Sequence, residues 1–242
     1  MHPIGKASAL GLFVAVSIFF VPPRLSAQES PPPAFSRDEG VYVVYRNGQV
    51  MATEKFRIVA GGRTIEAKGE TTVTNPDHSS QTLPKTTAEL TLDSSWNLSS
   101  YKWRQTGPKR SRIDLTFKVN LIEARVRRAG SKSQLRKFVL PANIVILDIN
   151  FFHHFAILLY RYDTARGGSQ MFQVFVPQEV RPGLITIQFL GTETIELGGQ
   201  SVLLGRYKVL TESIGLDVWA DEKRQLRRLS FPAEGIEVIR QP

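Results

Sequence analysis

Apolar and polar side chains alternate with a period of two over most of the chain after residue 40. The pattern is clear at residues 64–70, where Thr, Glu, Lys and Glu alternate with Ile, Ala and Gly, as in a strand with one exposed face. Further segments repeat it, separated by short turns that contain Gly, Asn, Asp or Pro. These predicted strands are residues 86–93, 97–103, 112–126, 171–176, 184–190, 192–197, 202–210, 216–221 and 228–232. The chain is therefore predicted to be mainly β, with a strongly curved antiparallel sheet or an incomplete β-barrel.

A tight turn is predicted at the start of this domain. Asn47 and Gly48 stand between two β-rich runs, and both residue types readily adopt the positive φ angles of a two-residue hairpin turn.

Two parts of the chain share a faint similarity. An aromatic residue follows Gly48 and Gly199 at the same distance, and Asp93 and Asp221 each precede a Leu and an aromatic at matching positions. The matched residues are Phe56 with Tyr207, Leu98 with Leu226, and Trp103 with Phe231. Two interpretations stay open: a duplication that gives two pseudo-repeated halves, or features that β-hairpins share in general.

One segment breaks the alternation, DINFFHHFAILLYRYD at 148–163. The apolar residues Phe151, Phe155, Leu158 and Tyr162 recur at spacings of four, three and four, which is typical of a helix. A second apolar stripe adjoins the first and consists of Phe152, Ala156 and Leu159. Such a broad apolar face belongs to a helix that is mostly buried. We predict one buried helix at about 149–162, packed on or in the concave side of the sheet, with Asp148 or Asn150 as its N-cap.

The N-terminal 27 residues are predicted to be a secretory signal peptide. Lys6 precedes an apolar run from Ala7 to Val21, and small residues precede Gln28, which indicates cleavage after Ala27. A membrane anchor is the alternative, but the apolar run of about 15 residues is shorter than the roughly 20 that a span needs. The protein is thus expected to be exported, periplasmic or extracellular, with no transmembrane span in the mature chain.

The rest of the chain divides into two parts. Residues 28–40 are Pro-rich and polar, and they are expected to form a disordered lead-in that begins no element. Residues 41–242 are expected to form a single β-rich domain.

The sequence contains no cysteine, which excludes disulfides, thiol catalysis and cysteine-bound zinc.

The chain is basic, with a formal net charge of +9. This excess favours an acidic partner such as anionic lipid headgroups or envelope polymers, whereas no nucleic-acid-binding motif occurs. Arg125, Arg127 and Arg128 form the candidate patch for an anionic partner. The alternative role of this patch is to protect an edge strand from pairing with other chains.

His153 and His154 are the candidate catalytic or metal-binding residues. Adjacent residues on a helix point about 100° apart, so this pair is poorly suited to hold one metal ion, and we predict a packing role, with metal binding or acid/base chemistry as alternatives. The G-x-S-x-G, H-E-x-x-H and P-loop motifs do not occur. No catalytic residue, metal or cofactor is predicted, and the protein is not expected to be an enzyme.

Two stretches carry a resemblance to a known family: residues 141–179, which contain the predicted helix, and 216–240, LDVWADEKRQLRRLSFPAEGIEVIR. They resemble an uncharacterised family of exported bacterial β-rich proteins, whose members join a strand ending in Trp and Asp to a charged turn and a second strand. That family is similar in design to the periplasmic lipoprotein carriers, in which a curved antiparallel sheet half-encloses a hydrophobic cavity covered by helix. This chain differs from the carriers in its single late helix.

These observations favour an exported, non-catalytic protein that binds a lipid or another apolar or amphiphilic envelope molecule in a cavity between sheet and helix. The candidate wall residues are Phe151, Phe155, Leu158, Trp103 and Trp219, although the tryptophans could instead serve core packing. The alternatives are a structural or interaction module that meets a protein partner in an envelope assembly, and a hydrolase.

Overall fold

Fifteen strands pair into one sheet in the part of the chain that the structure, a computed structural model, describes: residues 35–74, 85–107, 110–148, 150–211 and 214–242. The sheet is not closed into a barrel, and one α-helix accompanies it within these ranges. The predicted mainly β fold is confirmed. The predicted signal peptide lies outside the described residues.

The strands are β1 (Arg37–Arg46), β2 (Gln49–Gly61), β3 (Thr64–Val73), β4 (Lys85–Asp93), β5 (Leu98–Gln105), β6 (Ser111–Lys118), β7 (Leu121–Arg128), β8 (Gln134–Val139), β9 (Val145–Ile146), β10 (Ser169–Val176), β11 (Arg181–Leu197), β12 (Gln200–Leu210), β13 (Gly215–Ala220), β14 (Leu226–Phe231) and β15 (Ile236–Arg240). The helix α1 spans His153–Arg161, and a 3₁₀ turn spans Pro232–Glu234.

The first and last strands, β1 and β15, lie next to each other in the middle of the sheet. From β1 it meanders outwards to β8 at one edge, crosses to β9 at the other edge, and returns from β10 to β15, which pairs with β1. Neighbouring strands are antiparallel except β9 and β10. The helix lies in the connection between β9 and β10, and its side chains pack against the apolar face of the sheet.

The predicted hairpin turn is confirmed. Asn47 and Gly48 have φ angles of 50° and 80°, and Arg46 pairs directly with Gln49, so the loop contains two residues.

The turns that begin at Asp93 and Asp221 have the same hydrogen-bond pattern. Each aspartate accepts backbone N–H bonds from the residues two and four positions later, and its own N–H bonds to the carbonyl four positions later. Trp96 and Arg224, three positions after the aspartates, both have positive φ. Because such turns are common in β-hairpins, this match fits both a duplication and a shared hairpin geometry.

Several boundaries differ from the sequence prediction. Strand β1 begins at Arg37, so the predicted lead-in extended four residues too far, because polar residues 37–40 are held in the ladder with β2 and Asp38 is buried. A turn at Val119 and Asn120 divides one predicted strand into β6 and β7, and two predicted strands form the single β11 with a bulge near Gly191. The strands β8, β9 and β15 were not predicted.

The helix is buried along its whole length, from His153 to Arg161. Its type and place confirm the prediction. The predicted N-cap, Asp148 or Asn150, was wrong: the N-cap is Phe152, which forms no side-chain hydrogen bond with the helix. Instead the carboxylate of Glu54, on β2, accepts the N–H of Phe152 at 2.6 Å. At the other end, the guanidinium of Arg224 donates to the carbonyls of Tyr160 and Tyr162, each at 3.2 Å. A carboxylate at the start and a cation at the end both complement the helix dipole.

The core lies between α1 and the inward face of the sheet, with Trp96, Tyr42, Tyr101 and Tyr160 among its largest fully buried side chains. Within the described ranges, α1 is too short to cross a membrane, and no other helix offers a span.

Candidate ligand cavity

A cavity of about 510 Å³ lies at one end of the concave side of the sheet. This end, which we call the open end, is where β1 turns into β2 and β10 leads into β11. Most of the wall comes from the strand ends there and from the start of α1. The apolar lining residues include Val44, Ala52, Phe152, Phe155, Val174, Ile185, Leu216, Phe231 and Ile236.

The mouth of the cavity exposes apolar side chains. Met51 and Leu184 line the cavity and are 38% and 46% exposed, and Val73 is similar. Solvent-facing apolar groups around an apolar hollow are typical of a binding site rather than of a closed core.

A few polar groups interrupt the apolar wall. Thr71, Asp148 and Asn150 line it together, and the Thr71 hydroxyl donates to the Asn150 carbonyl at 3.0 Å. Charged lining residues stand at Arg46, Glu179, Arg181 and Glu234, and Arg181 is ion-paired with Glu179. The cavity thus combines an apolar wall with a small polar region and a mouth of mixed charge.

The five predicted wall residues occupy different places. Phe155 lines the cavity, whereas Phe151 and Leu158 are buried in the core and are not among its lining residues. Trp103 lies on the concave side of β5, 6% exposed, and does not line the cavity either. Phe152, which the sequence placed on the second helical stripe, does line it.

Trp219 lies on the opposite, convex face of the sheet. It packs with Ile195 and Leu204 in a separate small cluster, its indole N–H donates to Glu193 at 3.1 Å, and Arg228 covers its ring at 4.9 Å from the centroid. Its role is to pack the convex face, because a tryptophan there cannot reach a cavity on the concave side.

Behind the cavity wall, Glu54 and His153 form a buried pair. The His153 Nδ1 lies 2.5 Å from Glu54 Oε1, and both side chains are inaccessible to solvent. Glu54 was not predicted as a site residue, although the sequence carries a signal: it occupies the same alternating positions of β2 as Phe56 and Ile58, which point into the core. A carboxylate at a core position requires a partner.

His154 and Asp148 form a second buried group beside the first. The Asp148 backbone N–H donates to His154 Nδ1 at 3.2 Å, so Nδ1 is an acceptor and the ring is neutral with its proton on Nε2. Burial, with a smaller contribution from His153, lowers the pKa of His154 well below its ordinary value.

Asp148 is the member of this group that reaches the cavity wall. It accepts the hydroxyl of Tyr101 on one oxygen and the N–H of Asn150 at 2.9 Å on the other. Burial raises the pKa of Asp148 above its ordinary value, although the Tyr101 hydrogen bond acts in the opposite direction. Because Glu54, His153 and His154 do not line the cavity, their hydrogen bonds anchor the helix.

A third buried group joins the helix to the first and last described strands. The Tyr160 hydroxyl donates to Asp38 at 2.7 Å, and Arg240 forms an ion pair with the other oxygen of Asp38, also at 2.7 Å.

Among the residues whose structure is described, no group of three or more His, Cys, Asp or Glu side chains could hold a metal ion.

The predicted anionic-partner patch lies on β7, beside the edge strand β8. Arg125, Arg127 and Arg128 are all exposed. Because alternate residues of a strand point to opposite faces, Arg125 and Arg127 lie on the convex face and Arg128 on the concave side.

Comparison with known proteins finds similar solved structures but no matching family or curated protein. No family model matches the chain, and no curated protein matches it either. A β-barrel-like protein of the domain of unknown function DUF1849 from Brucella abortus is similar in structure, with 9% identity, a TM-score of 0.49, and 84% of this chain and 94% of that chain covered. A DUF1089 family protein from Pseudomonas aeruginosa has 11% identity and a TM-score of 0.42, with coverage of 75% and 90%.

Proposed function

We propose that this protein is an exported, non-catalytic binding protein that holds an apolar or amphiphilic molecule in the cavity between sheet and helix. The observation that carries the proposal is the cavity of about 510 Å³. Small-molecule sites commonly occupy about 300 to 1,000 Å³ and are lined mainly by apolar side chains with a few polar groups. The volume and the lining of this cavity agree with both properties.

The arrangement of the lining residues favours an amphiphile. Its apolar part would contact the side chains of Phe152, Phe155 and Ile185, and its polar part would lie near Asp148 or in the mouth beside Arg46. Tyr101 and the Asn150 N–H already engage both oxygens of Asp148, which fixes the orientation of its carboxyl group. A rigid polar group in an apolar wall orients a ligand at little entropic cost.

The export part of the proposal rests on the signal-peptide pattern of residues 1–27. Export would expose the protein to the lipids and polymers of the cell envelope, where amphiphilic ligands are abundant.

A cavity-filling variant tests the binding proposal. Ala52 lines the cavity from β2, so Ala52→Trp would fill part of it. The control is Thr53→Trp, because the next residue of the strand points to the convex face. The probe is N-phenyl-1-naphthylamine, an apolar dye that fluoresces when it leaves water.

We expect the dye to bind the wild-type protein and Thr53→Trp with equal affinity, and Ala52→Trp at least about tenfold more weakly, a loss of about 1.4 kcal/mol. Native mass spectrometry of protein purified from an exporting host would then identify any bound molecule. Equal dye binding by Ala52→Trp and wild type would contradict the proposal, provided that both variants unfold at wild-type denaturant concentrations.

A further inference from the structure

We propose that the open end of the sheet docks onto a lipid bilayer that carries anionic headgroups. This inference goes beyond ligand binding in the cavity, because a docking surface requires no bound ligand. It rests on the placement of charge, on the register that connects this charge to the cavity, and on apolar side chains exposed at the same end.

The positive charge of the protein is concentrated in three strands. Residues 110–139, which include β6, β7 and β8, contain nine Lys and Arg but only two acidic residues, so they account for seven of the formal net charge of +9. Both acidic residues are already paired: Asp114 with Arg104 and Arg112, and Glu123 with Lys118 and Lys137.

The other cations of this segment are not paired with acidic residues. Six cations of this segment are exposed and form no salt bridge with any residue in the described ranges: Arg110, Arg125, Arg127, Arg128, Lys132 and Arg136. Protection of the edge strand β8 would require charge on β8 itself, whereas most of these side chains belong to β7 and to the turn that follows it.

The register of the sheet connects this positive charge to the cavity. Thr86 and Gln105 both line the cavity and are direct partners; Gln105 pairs with Ser111, and Ser111 pairs with Arg128. Arg128 therefore lies two strands away from Gln105 of the cavity wall, about 10 Å measured across the strands. Arg127 and the turn that contains Lys132 lie at the same end of β7.

Apolar side chains are exposed at this end as well. Val50, Met51, Val73, Leu184 and Leu210 are each between 38% and 46% exposed, and each lies in the part of its strand nearest the open end. The acidic residues Glu179 and Glu234 are also present, but Arg181 neutralises the first.

This combination favours a bilayer over an acidic protein or polymer. Cations attract anionic headgroups, and exposed apolar side chains beside them can enter the boundary between headgroups and acyl chains. A soluble polyanion would use the cations alone and leave the apolar residues in water. Docking at the open end would also bring the cavity mouth to the membrane surface.

Sedimentation with vesicles tests the proposal. The vesicles contain phosphatidylcholine alone, or phosphatidylcholine with about 30% phosphatidylglycerol, at about 0.1 M salt, where the Debye length is about 10 Å. We expect the full-length mature protein to sediment with the anionic vesicles and to remain in solution with the neutral ones. Salt at about 0.5 M should weaken the binding because it screens the charges.

Two sets of variants test the surface. Arg127→Gln, Arg128→Gln and Lys132→Gln together should abolish most of the sedimentation. The control combines Arg57→Gln, Lys68→Gln and Lys102→Gln, which removes the same charge from exposed convex positions of β2, β3 and β5, and should sediment like the wild type. Val50→Ser with Leu210→Ser, neither of which lines the cavity, should weaken sedimentation with no change in charge.

Three outcomes would overturn the proposal. Equal loss in the control triple variant would show that net charge alone is responsible. Binding that is unaffected by Val50→Ser with Leu210→Ser would exclude apolar insertion, and binding to soluble polyglutamate but not to vesicles would identify an acidic polymer as the partner. Ala52→Trp should keep its vesicle binding even when the dye no longer binds, so failure of docking and failure of the ligand site are distinguishable.

Discussion

His153 lies against Gly69 so closely that a Cβ atom on residue 69 would stand 2.5 Å from the imidazole Cε1. The same Cβ would lie 2.6 Å from the ring of Phe151. Glycine at this position of β3 therefore lets the start of α1 contact the sheet, where Glu54 on the adjacent strand reaches it.

Gly69→Ala should destabilise the protein by about 1 to 3 kcal/mol, because the added methyl group overpacks the contact with the helix. Gly183→Ala is the matched control, since its Cβ would meet Val174 at 3.5 Å, an ordinary contact. Urea denaturation followed by tryptophan fluorescence measures both. Equal midpoints for the two variants would show that the helix can move away from β3 without cost.

Glu54→Ala should cost about 3 to 5 kcal/mol, since it leaves the Phe152 N–H and the His153 ring without their buried acceptor. Glu89→Ala, on the exposed face of β4, should change the free energy of unfolding by less than about 0.5 kcal/mol. A cost below about 1 kcal/mol at Glu54 would mean that water enters and replaces the carboxylate.

Phe151→Ala should cost more than Phe155→Ala. Phe151 is fully buried, so its removal leaves a new void worth about 3 to 5 kcal/mol. Phe155 contacts Phe231 on one side but borders the cavity on another. Truncation of Phe155 therefore removes fewer packing contacts than truncation of Phe151. Guanidinium denaturation of the two variants gives the order directly, and the reverse order would place Phe151 nearer to the cavity than the structure shows.

Acid should weaken the wild-type protein through His154. Because burial lowers the pKa of His154 in the folded state, only the unfolded chain binds a proton at this residue as the pH falls below about 6.5. The free energy of unfolding then decreases by up to about 1.4 kcal/mol per pH unit.

The variant His154→Asn isolates this effect, since an amide oxygen can accept the Asp148 N–H but does not titrate. We expect the variant to be less stable at pH 7 and to lose less stability between pH 7 and pH 5. Asp148 acts in the opposite direction, because its raised pKa favours the folded state most at low pH, and it remains in both proteins. Parallel curves of stability against pH would contradict the role of His154.

The sequence predicted the elements better than the connections between them. Alternation predicted the half-exposed strands well, because one face of each strand meets the core and the other meets water. The strand β8 escaped prediction because it lies at an edge and is exposed on nearly every residue, which removes the alternating pattern. The helix was recognisable because its apolar residues recur at a period that no strand can use.

The site was predictable in part. A cavity between sheet and helix was expected, and Phe155 lines the one observed, but Trp219 could not be assigned to a face, because both faces of its strand carry buried residues. The buried polar groups were harder to predict. Glu54 is marked only by its apolar neighbours at alternate positions of β2, whereas Asp38 lies in the stretch predicted to be a disordered lead-in and Arg240 in a strand that was not predicted. Their partners lie far away in the chain.

The pairing of β1 with β15 determines when this protein can finish folding. The Arg240 guanidinium donates to the carbonyl of Glu39, 201 residues earlier, so one side of β1 has no partner until β15 has been synthesised and, in an exported chain, translocated. Strands β2 to β8 can assemble beforehand, through turns between neighbours in sequence. In that interval the backbone N–H and C=O groups on one side of β1 are unpaired and can form hydrogen bonds with another chain. A chain that stops before residue 236 would keep this edge exposed.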